Sequence, residues 1–355
     1  MSNAGKLYIG GRPVSPEDPY SIAEMGTNHD RDKTIAKQMI DGAAAAGVDA
    51  IKYQVYHAED IVTKNISAEE YGFEKFYDAE TAFEVFDERL RLPREWFGEL
   101  TEYAAEKGLD NVATVHCPNC AEFVSTFDVQ AFKVASMDLT HVPLLEALAD
   151  YDLPVILSTG MASVAEIDTG VSALRDNGHD DVAVLHCVSN YPTDPAELNL
   201  QNIETIRDAF DITAGFSDHT MSTLSAALAV AHGASIIEKH FTLDRSRQGP
   251  DHPFALEPNE LATLVDNLEV ARQASGSKTR ELTDIEKRTE YRRSIVTDRN
   301  LTAGETVTEE AVRFARPGDG IEPSAIDSVL GMEIQTDLPA ERALKWTHFK
   351  LDYSA

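Results

Sequence analysis

Gly215-Phe216-Ser217-Asp218-His219-Thr220 and Glu238-Lys239-His240-Phe241-Thr242 are the stretches whose reading decides the fold. Each sets a histidine just beyond a short apolar run, residues 211–214 in the first case and 235–237 in the second. An Ala-rich helical segment, residues 224–232, lies between them. A strand, a helix and a second strand of these lengths read as one crossover unit. Parallel neighbouring strands would bring both imidazoles out at the same end of a sheet. Neutral imidazole is a good ligand for first-row divalent ions, so two histidines at corresponding strand ends predict a metal site.

The same pattern recurs outward from this unit. Eight short β-like runs are found at 20–23, 50–53, 111–115, 131–134, 155–157, 182–185, 211–214 and 235–237, with helical segments between most of them. The first helix has an N-cap in Asp32, helical spacing in Ile35 and Met39, and a stop at Gly47. Ser163-Val164-Ala165-Glu166 is a capping box that opens a later helix. The second crossover, residues 58–108, is long enough to carry an inserted loop. Eight such units in roughly 270 residues predict an α/β fold of the (β/α)8, or TIM, barrel type. A doubly wound open sheet is the main rival, and no G-x-G-x-x-G follows the first strand to support it. The barrel is assigned residues 1–273. Residues 274–291 turn polar and read as a linker holding one charged helix. Residues 292–355, with short strands and tight turns such as Arg316-Pro317-Gly318-Asp319-Gly320, read as a small β-rich domain.

Composition narrows the function. The chain has 355 residues, 43% of them hydrophobic, and no apolar run long enough to span a bilayer. With no signal-peptide pattern at its start, it is expected to be cytoplasmic. The formal charge is −30, from 61 acidic and 31 basic residues. That excludes nucleic acid as a partner, because phosphate neutralisation supplies much of such binding. The acids are dispersed, which suits concentrated salt, where the Debye length falls to about 3 Å at 1 M and self-repulsion is screened. On this halophilic reading, the midpoint of thermal unfolding rises between low and molar KCl; a flat response removes the reading. Three cysteines argue against a disulfide framework. Cys117-Pro118-Asn119-Cys120 has the C-x-x-C spacing of redox pairs and half zinc sites, but no second such pair exists, and the cysteines read as ordinary reduced thiols.

Chemistry in a barrel belongs at the C-terminal strand ends. There the sequence offers Glu24, Lys52, Gln54, Thr114, Lys133, Ser136, Ser158, Ser189, His219 and His240. Lys52 and Lys133 lie on alternate strands and would both face the mouth. With the hydroxyls of Thr114, Ser136, Ser158 and Ser217 they make a site for a small polyanion; a Schiff-base lysine is the alternative. Glu24 is either a general acid/base or the ion-pair partner of Lys52. A metal beside an anion site points to Lewis-acid activation of a carbonyl next to a phosphorylated reactant.

Seven motifs in order make the chain recognisable: Ile22-Ala-Glu-Met-Gly-Thr-Asn-His29, Ile51-Lys-Tyr-Gln54, Leu157-Ser-Thr-Gly-Met161, His186-Cys-Val-Ser-Asn-Tyr-Pro-Thr193, Gly215–Thr220, Glu238–Thr242 and Gly249-Pro-Asp251. From about residue 18 to 350 the sequence resembles the N-acetylneuraminate (sialic acid) synthase family, and its tail resembles that family's antifreeze-like (SAF) domain. The resemblance implies a TIM barrel followed by an SAF domain, in a domain-swapped homodimer. It also implies a metal-dependent condensation of phosphoenolpyruvate with an N-acetylated hexosamine, giving a nine-carbon 2-keto sugar acid and phosphate. Under it, His219 and His240 hold the metal, typically Mn2+, with Mg2+ or Co2+ as alternatives. Glu24 is the acid/base residue, and Lys52 and Asp138 also belong to the catalytic set. Lys52, Thr114, Lys133, Ser136, Ser158, Ser189, Tyr191 and Ser217 line the phosphoenolpyruvate pocket. Gln54 and Asp251 face the sugar, and Arg316 reaches it from a second copy of the chain.

The sequence departs from the family pattern at three places. Ala113-Thr114-Val115-His116 stands where Ser-Thr-Pro-Phe is usual, and Ser136-Met137-Asp138 where Ser-Gly-Glu is usual. Ser189 replaces an Asn. These changes keep the anion site and alter its walls, so legionaminate or pseudaminate is as compatible a product as N-acetylneuraminate. A metal-dependent aldolase that consumes no phosphoenolpyruvate is the rival enzyme, and a sugar-binding protein built on the C-terminal unit the rival non-enzyme.

Overall fold

The β-like runs are largely apolar and buried on both faces, as strands covered by helices on one side and by one another on the other side must be. The computed structural model describes residues 7–277 and 279–350. A short antiparallel hairpin, β1 (Tyr8–Ile9) and β2 (Arg12–Pro13), comes first. Eight parallel strands succeed it: β3 (Tyr20–Glu24), β4 (Ala50–Val55), β5 (Asp110–Val115), β6 (Ala131–Val134), β7 (Val155–Ser158), β8 (Val182–Cys187), β9 (Thr213–Asp218) and β10 (Ile236–His240). Each pairs with the next, and β10 pairs with β3 to close the barrel.

Crossover helices α1 (Lys33–Ala46), α4 (Arg94–Glu106), α5 (Pro118–Val124), α6 (Val142–Leu148), α7 (Val164–Arg175), α8 (Asn202–Phe210), α9 (Leu224–Ala231) and α10 (Pro258–Ser275) surround it. Their start and stop chemistry is local. The Asp32 side chain accepts from Thr34 N and Ile35 N at the head of α1, and Gly47 closes it at φ 81°. Ser163 and Glu166 cap α7 reciprocally. The long second crossover carries two short helices, α2 (Ala58–Ile61) and α3 (Ala82–Val85), and a small core of its own that includes Val62, Phe73, Val85 and Leu90.

Side chains at i and i+2 of a strand share a face. Inside the barrel the first of each pair is small or apolar: Ile22, Ala50, Val112, Ala131, Ile156, Leu185, Gly215 and Ile236. The hairpin's Leu7, Ile9 and Val14 join this cluster. Gly215 has no substitute there, since a Cβ would stand 2.5 Å from the Ile236 carbonyl oxygen and from the Leu185 side chain. Two residues further along the same strands come Glu24, Lys52, Thr114, Lys133, Ser158, Cys187, Ser217 and Glu238, all buried. A polar layer therefore rests on an apolar floor. The opposite strand faces pack apolar side chains such as Ile51, Ala113, Phe132, Leu157 and Phe216 into the main core beneath the helices.

The sequence-based strand ends need correction. β3, β4, β7, β8, β9 and β10 run one to four residues beyond the apolar runs, mostly because polar residues at the mouth close them. β9 starts at Thr213, since Asp211 caps α8 in the left-handed region at φ 46°.

The chain divides into two compact units, 1–276 and 277–355. The second contains the antiparallel pair β11 (Ser294–Thr297) and β12 (Val312–Ala315) and a short helix α11 (Ile326–Val329). Its own core includes Ile295, Leu301, Val307, Ile334, Leu344 and Phe349. The charged helix expected between 274 and 291 does not form. α10 runs on to Ser275, and beyond it the described residues up to 291 are irregular, with one turn at 284–287 and a single 3-10 turn, Thr289–Tyr291.

Candidate active site

Strand register brings the charged residues of the upper layer together. Glu24 on β3 is in register with Lys52 on β4, and Ser217 on β9 with Glu238 on β10. Lys52 Nζ lies 3.3 Å from Glu24 and 3.2 Å from Glu238, and donates to Thr114 Oγ1 at 3.2 Å. Lys133 Nζ lies 3.7 Å from Glu238 and donates to Ser158 Oγ at 2.7 Å. Ser217 Oγ donates to the other Glu238 oxygen at 2.9 Å, and Gln54 Nε2 to Glu24 Oε1 at 2.6 Å. Of the two readings weighed for Glu24, the ion pair with Lys52 is present.

Burial sets the protonation of this cluster. It lifts the Glu24 carboxyl to about 6, against the pull of Lys52 and with a further push from Glu238. Burial also works against ionised Glu238, yet Lys133, Lys52 and Ser217 together hold that carboxyl down at about 2. Burial pulls the Lys133 ammonium below its ordinary range, whereas on Lys52 the two carboxylates overcome burial and raise it.

Above these groups opens a cavity of about 330 Å³. Its walls include Lys52, Lys133, Ser136, Ser158, Ser189, Tyr191, Ser217, Glu238 and both histidines. Gly160 makes room on one side: a Cβ there would collide with Ser189 Oγ and stand 2.8 Å from Ser136 Oγ, and its N–H donates to Ser136 Oγ at 2.9 Å. The cavity thus gathers ammonium groups, hydroxyls and a close backbone approach, the donors an oxyanion needs.

The rings of His219 and His240 meet edge to face, with centroids 5.5 Å apart and planes at 62°. Tyr191 stacks over His219 at 4.1 Å and Phe254 lies 4.9 Å from His240. Burial drives His240 down to about 3, so it is neutral, and its Nδ1 is buried with no hydrogen-bond partner. His219 Nδ1 meets the Val188 carbonyl at 2.8 Å, which leaves Nε2 as the lone-pair nitrogen. Asp251 Oδ2 lies 3.8 Å from His240 Nδ1 and accepts from Thr27 N and Oγ1. A Cβ on Gly26 would enter the space between Asp251, Glu24 and His240, at 2.7, 3.4 and 3.5 Å. An orphaned neutral imidazole beside a second one and a carboxylate fits a divalent ion.

One expected residue of the barrel sits elsewhere. Asp138 is not among the groups around the lysines; its Oδ2 meets His116 Nδ1 at 2.7 Å. The two departures from the family pattern thus belong together, the shortened carboxylate reaching an imidazole where a phenyl ring is usual. Arg316 lies in the second unit, where its guanidinium stands 5.9 Å above the Tyr291 ring.

The description NeuB family matches residues 39–280, and that of the SAF domain residues 292–350. The chain belongs to the NeuB family. Among NeuB relatives, an uncharacterised protein of Methanocaldococcus jannaschii is 39% identical over 96% of this chain and 98% of its own. The N,N'-diacetyllegionaminic acid synthase of Legionella pneumophila is 34% identical, covering 93% of this chain and 94% of its own. The crystal structure of the N-acetylneuraminic acid synthetase of Leptospira borgpetersenii, in complex with citrate, superposes with a TM-score of 0.70 at 34% identity. It covers 80% of this chain and 94% of that one.

Glu238 and Cys187 line the cavity and received no role from the sequence. For Glu238 a signal existed: once His240 points to the mouth, the residue two before it shares that face. Lys239, between them, points outward and pairs with Asp218 at 2.9 Å.

Proposed function

We propose that the protein condenses phosphoenolpyruvate with an N-acetylated hexosamine, N-acetylmannosamine or a 2,4-diacetamido-2,4,6-trideoxyhexose, to a nine-carbon 2-keto sugar acid and phosphate. The observation that carries this is the shared cavity: two buried ammonium groups and several hydroxyls open beside two neighbouring imidazoles. Relatives of equal identity are named for legionaminic and neuraminic acids, so the reading is of the acceptor class.

In this reading Lys52 and Lys133 bind the phosphate and carboxylate of phosphoenolpyruvate, with Ser136, Ser158 and Ser189 as neutral donors. A divalent ion, Mn2+ in the first instance, held by His219 and His240, would supply Lewis acidity at the acceptor's aldehyde oxygen. C3 of phosphoenolpyruvate attacks the aldehyde carbon, water adds at C2, and the tetrahedral centre collapses with loss of phosphate. Glu24, poised by burial near neutral pH, gives or takes the proton. Tyr191 and Phe254 shield the reacting end from water. The reading includes a cytoplasmic homodimer in which Arg316 of one copy serves the sugar site of the other; analytical ultracentrifugation tests the oligomer.

The test is phosphate release by purified protein with Mn2+, phosphoenolpyruvate and each acceptor, with a chelator control, in molar KCl. Release with one sugar, abolished by chelation, is expected. No release from folded, metal-loaded protein brings the aldolase forward. Lys133→Met is expected to raise KM for phosphoenolpyruvate by about 10–100-fold, the loss of one hydrogen bond to a charged group; an unchanged KM removes Lys133 from the anion site.

A further inference from the structure

Where the turn between β5 and α5 meets the long β4–α4 crossover, three groups with no part in the proposed reaction converge. Cys117 and Cys120 bring their sulfurs to 2.8 Å, and Asp60, on α2, places Oδ2 3.7 Å from Cys120 Sγ. One ligand atom from each lies within 4.8 Å of the other two. Arg94 stands behind them: Nη2 is 3.3 Å from Cys120 Sγ, the guanidinium lies 4.7 Å above the Phe123 ring, and Nε is buried without a hydrogen-bond partner. We propose that Asp60, Cys117 and Cys120 form a second metal site, for a thiophilic divalent cation of the Zn2+ type, sharing no residue with the histidine site.

Ligand type and spacing carry the assignment. Zinc takes sulfur at about 2.3 Å and carboxylate oxygen at about 2.0–2.2 Å in a tetrahedron, so its S···O edge is about 3.5 Å and its S···S edge about 3.7 Å. The Asp60–Cys120 distance already matches. The two sulfurs must part by about 1 Å, and Cys117, the more exposed of the pair, can swing about its Cα–Cβ bond. Two thiolates and a carboxylate carry three negative charges; a divalent ion leaves one, and Arg94 is in place to neutralise it.

The redox rival fits less well: Asp60 brings a carboxylate to the pair, a ligand that a metal takes and a dithiol–disulfide couple does not need. A coordinating thiol gives up its proton to the solvent on binding. The site joins α2, at the head of the inserted segment with its own small core, to α5. Its role is to fasten that segment to the barrel rim.

The experiment uses reduced, chelator-stripped full-length protein titrated with Co2+ and Zn2+, in wild type, His219→Ala and Cys117→Ser. Co2+ should give thiolate-to-metal charge-transfer absorption in wild type and in His219→Ala, and one equivalent of Zn2+ should protect two thiols from a thiol reagent in both. Cys117→Ser should lose the absorption and bind Zn2+ at this site about 100-fold more weakly, while keeping its thermal midpoint in the absence of metal. Asp60→Asn should weaken binding without abolishing the absorption. The proposal is overturned if wild type gives no charge-transfer band, if Cys117→Ser keeps it, or if Cys117 and Cys120 form a disulfide with a low-molecular-weight disulfide as fast with Zn2+ as without.

Discussion

Glu238→Gln is expected to destabilise the protein by about 3–5 kcal/mol at pH 7, the range for breaking a buried ion pair by removing one partner. Glu238 is the only carboxylate among the described residues that stands within 4 Å of both Lys52 and Lys133. Without its charge, Lys52 is left with Glu24, whose carboxyl burial lifts to about 6, and Lys133 is left with no carboxylate within 4 Å among the described residues. The sign follows from the depressed native carboxyl of Glu238, about 2 against an ordinary 4.5. Its stabilisation is complete above 4.5 and is lost as pH falls through 2, so the full deficit is present at pH 7. Urea unfolding of wild type and variant measures it. Inorganic phosphate should recover part of the loss, since an anion in the cavity replaces the missing charge. A deficit below about 1 kcal/mol, the worth of an ordinary exposed pair, would mean that the lysines do not depend on Glu238.

Glu24→Gln is expected to lower kcat by about 10²–10⁴-fold, the usual contribution of a positioned acid or base, while making the protein more stable at pH 8. A group whose native carboxyl is raised, here from 4.5 to about 6, favours folding below 4.5. That contribution is lost as pH rises through 6. Above that pH the native state carries an ionised carboxylate that burial opposes, a penalty on the order of 2 kcal/mol for such a shift. The variant escapes it and keeps the Gln54 contact through its own amide oxygen. Thermal midpoints at pH 8 and pH 4 should therefore show a gain for the variant that vanishes in acid. The kcat/KM profile of wild type should show a group ionising near 6 that is missing in the variant. A variant with normal kcat would remove Glu24 from the chemistry. Stability and activity moving in opposite directions is the mark of a group held in an unfavourable state for use.

Much of this is legible in the chain. The barrel follows from the spacing of apolar runs, and the paired histidines from their matching positions at successive strand ends. Caps at Asp32, Gly47 and Ser163 can be read because their chemistry is local. The features that escape have a common cause. Strands are recognised by apolar residues, and they cease to look like strands where Glu24, Ser158, Ser217 and His240 begin the site, though the ladder continues through them. The His116–Asp138 bond spans 22 positions, and the approach of Asp60 to Cys120 spans 60. Neither separation has a period in the sequence. Both arise from the pairing of successive strands, β5 with β6 and β4 with β5, which brings the segments after them side by side.

The charged layer has one further consequence, for selectivity among anions. Each lysine already has a resident counterion, Glu238 for both and Glu24 for one. An arriving anion is not filling a vacancy; it competes with tethered carboxylates at effectively very high local concentration. Chloride, with one charge and no shape, has little to offer in that exchange. A phosphorylated carboxylate can span both ammonium groups and engage the hydroxyls of Ser136, Ser158 and Ser189 at once. Built-in competitors thus act as a threshold that a multidentate guest crosses more readily than a simple salt ion.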